Sequence, residues 1–293
     1  MKYSSPIEGF RLAYDRVGSG SPVVLLHGWP GDRTDYRALV PLLADSADIV
    51  VPDLRGFGHS DKHVVEPEDA YSGAAQARSV AGLIEELSLG ASVIAGYDVG
   101  SFVAQTVAKM RPDLVRALVV SPPLPGAGKR VLTADATREF WYPAFHRLDL
   151  AEQLIDGKPE AVRAYLRHFW SHWSGPSYVV DEAHLDHLVE VYSSPGAFAA
   201  SIAWYRTTSS PVPAYIAETT PTAADRISAP TTVLWQEFDP IFPTLWSDRL
   251  NEFFVDVTLE RLAGVGHFIP LEAPAQFSSA IKKQLAAPTR QGG

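Results

Sequence analysis

The chain has 293 residues, 46% hydrophobic and 20% charged, with a net charge of −9 and no cysteine. Its length suits one large α/β domain carrying an insertion, or two small domains, and the missing cysteines exclude disulfides, thiolate metal sites and a cysteine nucleophile. An acidic balance without a Lys/Arg block argues against nucleic acid. No apolar run approaches the ~18 residues of a membrane span, and the opening "MKYSSPIEGFRLAYD" lacks an apolar leader segment, so a cytoplasmic protein with no membrane partner is expected.

In chain order, short β-type runs recur: "PVVLLHG" (22–28), "DIVVPD" (48–53), "SVIAGYD" (92–98), "VRALVVS" (115–121), "TTVLWQEFD" (231–239) and "VTLERL" (257–262). Runs apolar on both faces predict buried parallel strands covered by helices. "AGLIEELSLG" (81–90) reads as a helix stopped by a glycine before the next strand. This alternation predicts a doubly wound, mostly parallel sheet of the α/β class.

The alternation stops between Pro122 and Pro230. "AVRAYLRHFWSHW" sets Val162, Tyr165, Leu166, Phe169, Trp170 and Trp173 on one helix face. "EAHLDHLVEVY" and "GAFAASIAWY" predict two more helices, divided by Ser194-Pro195-Gly196. The expected organisation is therefore a core of residues 1–122 and 230–293 interrupted by an all-helical segment, 123–229.

The chemistry centres on Gly96-Tyr97-Asp98-Val99-Gly100, which follows a strand and precedes the helical "SFVAQTVAKM". Small glycines flanking one reactive side chain suit a sharp strand-to-helix turn. Downstream come Asp239 in "LWQEFDPIF" and His267 in "GVGHFIP", each after a strand. The order nucleophile, acid, histidine is that of a hydrolytic triad on an α/β sheet.

"HGWPGD", "PDLRGFGHSD", "GYDVG", "AWYR" and "GVGHFIPLEAP" together resemble the epoxide hydrolase and dehalogenase branch of the α/β-hydrolase superfamily, most closely bacterial epoxide hydrolases. The resemblance runs through nearly the whole chain. It implies an α/β-hydrolase fold whose helical insertion is a lid over the active site. It further implies Asp98 as nucleophile, His267 and Asp239 as the water-activating pair, and the backbone N–H groups of Trp29 and Val99 as the oxyanion hole. Tyr205 in "SIAWYRTTS" matches the lid tyrosine that donates to an opening epoxide. The segment "REFWYPAFHRLDLAEQLI" matches that of the second donor, spacing pointing to Trp141 with Tyr142 adjacent.

An aspartate is already anionic at neutral pH and needs no base to attack a saturated carbon. The expected product of that step is an ester on Asp98, hydrolysed by water that His267 activates. An epoxide leaves as an alkoxide needing a proton, whereas a halide needs only weak N–H donors. Haloalkane dehalogenases usually have tryptophan after the nucleophile, where this chain has Val99. Fluoroacetate dehalogenases have arginines there, and "DVGSFVAQ" has none. "VSPPLPG", after the strand ending near Val120, offers no carboxylate, leaving Asp239 as the acid.

The expected substrates are a small apolar or aromatic epoxide and water. A hydrolytic dehalogenase is the alternative, and a non-catalytic binding protein on the same fold a further one. Ser101, the competing serine nucleophile, lacks small neighbours in the elbow pattern. No cofactor and no metal are expected: "LPGAGKRVL" lacks the first glycine and the Ser/Thr of a P-loop, and the pairs His168/His172 and His184/His187 read as polar helix faces. Asp53 and Arg55 are expected to brace the loops beside the elbow. Oligomeric state is left open, a homodimer included.

Overall fold

The computed structural model describes residues 1–288, so the last five residues of the second core segment lie outside the described residues. An eight-stranded sheet runs in the order β1-β2-β4-β3-β5-β6-β7-β8. The strands are β1 (Lys2–Tyr3), β2 (Ala13–Gly18), β3 (Ser21–Leu26), β4 (Ala47–Pro52), β5 (Ser92–Gly96), β6 (Val115–Val120), β7 (Thr231–Gln236) and β8 (Val257–Leu262). From β4 to β8 all neighbours pair in parallel; β2 joins β4 antiparallel, and β1 joins β2 likewise.

The six parallel strands fall where apolar runs predict them. Strands β1 and β2 are not predicted, because β2 turns from buried to exposed along its length and carries no sustained alternation. The runs Val23–Leu26 and Val93–Ala95 are wholly buried, as expected of central strands covered on both faces. Strand order reverses between β3 and β5, so their C-terminal ends border the crevice where open α/β sheets place their ligands.

Helix Gly73–Glu86 starts at Ser72, whose hydroxyl accepts from Ala75 N–H, and packs against helix Val99–Met110. Between β6 and β7 the chain forms helices including Trp141–His146, Pro159–His172, Glu182–Tyr192 and Ala197–Ile202, and no strand among the described residues. Pro159–His172 buries Val162, Leu166, Phe169 and Trp170, the face its periodicity predicts. Trp170 stacks on Phe268 at 4.0 Å, and His267 N–H donates to Trp173 O at 2.8 Å. The helical segment thus packs on the loop that follows β8. None of the described helices is long and apolar enough to cross a membrane.

Candidate active site

The turn after β5 sets the nucleophile candidate. Asp98 adopts φ 50° and ψ −128°, a conformation costly for any residue with a side chain and characteristic of sites where surrounding structure enforces it. Its N–H donates to Pro122 O at 3.1 Å. Helix Val99–Met110 begins at once, and it crosses β3 so closely that a Cβ on Gly100 would stand 2.0 Å from Leu26 O. Glycine is required there by space.

The loop after β3 approaches from the other side of the crevice. Trp29 N–H donates to Asp98 Oδ1 at 2.7 Å. Val99 is the first residue of its helix, so its N–H belongs to the first turn, which has no intrahelical acceptor. One backbone donor thus holds the carboxylate, and a second N–H without an intrahelical acceptor follows it directly in the chain.

The other carboxylate oxygen meets the histidine. His267 Nε2 lies 3.3 Å from Asp98 Oδ2, and its Nδ1 lies 2.9 Å from Asp239 Oδ2. Asp239 is fixed in turn, its Oδ1 accepting from Ile241 N–H at 3.0 Å and Phe242 N–H at 3.2 Å. All three side chains are buried. Burial disfavours a charged imidazole, yet Asp239 and then Asp98 outweigh it and push His267 up to about 10. The two flanking carboxylates thus favour the protonated imidazole.

From the helical segment, Tyr142 and Tyr205 arrive over Trp29. The Tyr142 ring stacks on Trp29 at 5.9 Å, Tyr205 meets Trp29 edge-on at 6.0 Å, and the two phenol rings are 5.6 Å apart. Burial, reinforced by the charge of Asp98, raises both phenols well above their ordinary value, so both remain neutral donors. His146, Phe169 and Trp173 complete an aromatic box around Trp29.

Trp141 stands elsewhere. It is 40% exposed and stacks on Phe169 at 5.8 Å, away from Trp29. Neighbouring helix positions point about 100° apart, so only one of the Trp141–Tyr142 pair faces the box, and it is Tyr142.

A family model described as the alpha/beta hydrolase fold matches residues 21–274. The chain belongs to the alpha/beta hydrolase family. The soluble epoxide hydrolase of Corynebacterium sp. (strain C12) is 30% identical over 302 residues, covering 98% of both chains. A haloalkane dehalogenase of Bradyrhizobium diazoefficiens is 30% identical over 184 residues, 60% of this chain and 52% of that protein. A solved structure of the epoxide hydrolase CorEH is similar at TM-score 0.81 and 26% identity, over 97% of this chain and 98% of that one.

Several residues of this hydrolase site escape a sequence reading. His146 follows Tyr142 by one helical turn, a spacing that could have flagged it. It is fully buried with Nε2 2.9 Å from Tyr165 Oη, and burial pulls it well below the usual histidine value, leaving a neutral ring. His184 and His187 are not a solvated helix face: they contact Asp35 and Asp32 of the loop that carries Trp29, at 3.0 and 2.7 Å. No group of three or more His, Asp or Glu side chains among the described residues is arranged to hold a metal. Asp53 and Arg55 are both buried. Asp53 accepts from the backbone N–H groups of Arg33 and His59, while Arg55 reaches Glu8 and Ser79.

Proposed function

We propose that this hydrolase opens an apolar or aromatic epoxide to a vicinal diol through an ester on Asp98, with segment 123–229 as its lid. The observation that carries the reading is the pair of buried, neutral tyrosines, Tyr142 and Tyr205, packed on Trp29, whose N–H holds a carboxylate that a triad histidine also reaches. Two phenol donors suit a leaving oxygen that must be protonated, and the Corynebacterium relative named an epoxide hydrolase supports the same reading along its full length.

In the first step an Asp98 oxygen attacks a ring carbon. The new C–O bond forms as the ring C–O bond breaks, and the freed oxygen takes a proton from Tyr142 or Tyr205. Asp98 is now a neutral ester. Of the two carboxylates that held the proton on His267, one has lost its charge, so the imidazolium becomes more acidic and restores the phenol's proton. Neutral His267, oriented by Asp239, then takes a proton from water as that water attacks the ester carbonyl. Negative charge appears on the carbonyl oxygen beside Trp29 and Val99. Collapse expels the diol oxygen as it takes the proton from the His267 imidazolium, and the Asp98 acid so formed returns a proton to His267, leaving a carboxylate that holds one oxygen from water.

Dehalogenation is the second reading, favoured by the partial match to a haloalkane dehalogenase and by the buried indole N–H of Trp29, which has no partner. A single turnover with excess enzyme in heavy-oxygen water tests the primary reading. The label should enter Asp98 and be absent from the diol. Label in the diol would mean direct attack by water and would remove Asp98 from its role.

A further inference from the structure

The loop that supplies the Trp29 N–H is held by more than its own strand. Gly31 O accepts from Tyr192 Oη at 2.8 Å, and Asp32 Oδ2 lies 2.7 Å from His187 Nε2 while its Oδ1 accepts from Thr34 N–H at 2.7 Å. Asp35 Oδ1 lies 3.0 Å from His184 Nε2, and its Oδ2 accepts from Tyr97 Oη, the side chain that immediately precedes Asp98. The backbone passes so tightly over Asp35 that a Cβ on Gly31 would stand 1.8 Å from Asp35 Oδ2. Tyr192, His187 and His184 all belong to helix Glu182–Tyr192. One lid helix therefore grips three successive points of the oxyanion loop and, through Asp35, the elbow.

Adhesion alone does not call for this construction. Asp32 and Asp35 are both fully buried, and buried charged pairs contribute little net stability compared with apolar packing. What they add is fixed geometry, because each carboxylate holds a lid donor with one oxygen and a core donor with the other.

We propose that Asp32 and Asp35, gripped by His187 and His184, are positioning residues for the oxyanion loop, and that this latch controls hydrolysis of the Asp98 ester rather than its formation. The inference rests on the alkyl-enzyme reading above. During alkylation the charge on Asp98 disappears, so the Trp29 N–H has nothing new to stabilise. During hydrolysis charge appears on that same oxygen, and only a donor already in place stabilises it.

The test is rapid mixing of the full-length enzyme with styrene oxide, followed by quench and intact-mass measurement of the fraction esterified. His187→Ala should slow ester hydrolysis about tenfold, less than the loss on deleting a donor outright, while the alkylation rate stays within about twofold. The variant then stands mainly as ester in the steady state, and His187→Gln, which restores an N–H donor, should recover most of the rate. His184→Ala, which removes the donor to Asp35, provides a second measurement at the other contact. Equal slowing of both steps would reduce the latch to a structural support, and unchanged hydrolysis in both variants would overturn it. Failure of the underlying reading looks different: the unsubstituted enzyme, and a variant with hydrolysis blocked at His267, would show no ester at all, which would overturn both.

Discussion

Trp29 donates its backbone N–H to Asp98 Oδ1 at 2.7 Å across a gap so narrow that a Cβ on Gly28 would stand 2.4 Å from Asp98 Cβ. The "HG" of the loop after β3 is thus a spacing requirement. A methyl there must push the loop and the elbow apart, and no nearby flexible side chain can yield. Gly28→Ala should cost about 2–3 kcal/mol of stability, typical of overpacking in a closed site, and lower kcat with little change in KM. Thermal unfolding together with steady-state kinetics on styrene oxide checks both; a stable, fully active variant would contradict the close approach.

Tyr142 and Tyr205 share the ring-opening proton in this account. Replacing either with Phe should slow alkylation by an epoxide about 10²-fold, the scale of one well-placed donor or acid. Halide departure needs no proton, so alkylation by a bromoalkane should change far less. Trp141→Ala, on the outer side of the same helix, should leave the epoxide rate within about twofold, as expected of a partly exposed residue away from the reacting atoms. Pre-steady-state alkylation rates separate the three, and a larger loss at Trp141 than at Tyr142 would reverse the assignment.

The His187–Asp32 contact gives helix Glu182–Tyr192 a pH-dependent anchor. The bond to Asp32 raises His187 above its ordinary value, and on the other side of the pair burial is outweighed by His187, which lowers Asp32. Asp53 adds to the attraction, Arg33 opposes it, and the His184 ring lies 6.2 Å away. Because the folded pKa of His187 is raised, its contribution is full below the unfolded value of ~6.5 and is lost as pH rises through the folded value. The Tm advantage of the native protein over His187→Gln should therefore shrink as pH rises above about 6.5 and through the raised folded value. An advantage constant across that range would mean that His187 is neutral when folded.

Much of this was legible in the residues. The parallel strands follow from unbroken apolar runs, and Asp98, Asp239 and His267 follow strands in the order of an α/β-hydrolase triad. Less legible were features set by contacts distant in sequence. The antiparallel edge of β1 and β2 is too short and too exposed to leave a pattern. Choosing between Trp141 and Tyr142 depends on how one short helix is rotated, which adjacent residues in a sequence cannot reveal. Nothing local in the sequence marks Asp35, which Tyr97 and His184, 62 and 149 positions away, close around.

The most direct test of the central claim is the intact mass of the His267→Gln variant after incubation with styrene oxide and, in parallel, a bromoalkane, followed by peptide mapping. The account predicts a gain equal to the whole epoxide, located on the peptide containing Asp98, stable because no base activates water, and absent when Asp98→Ala is added. An alkyl adduct formed only with the bromoalkane would transfer the enzyme to dehalogenation. An epoxide adduct that persists in Asp98→Ala would contradict Asp98 as the nucleophile.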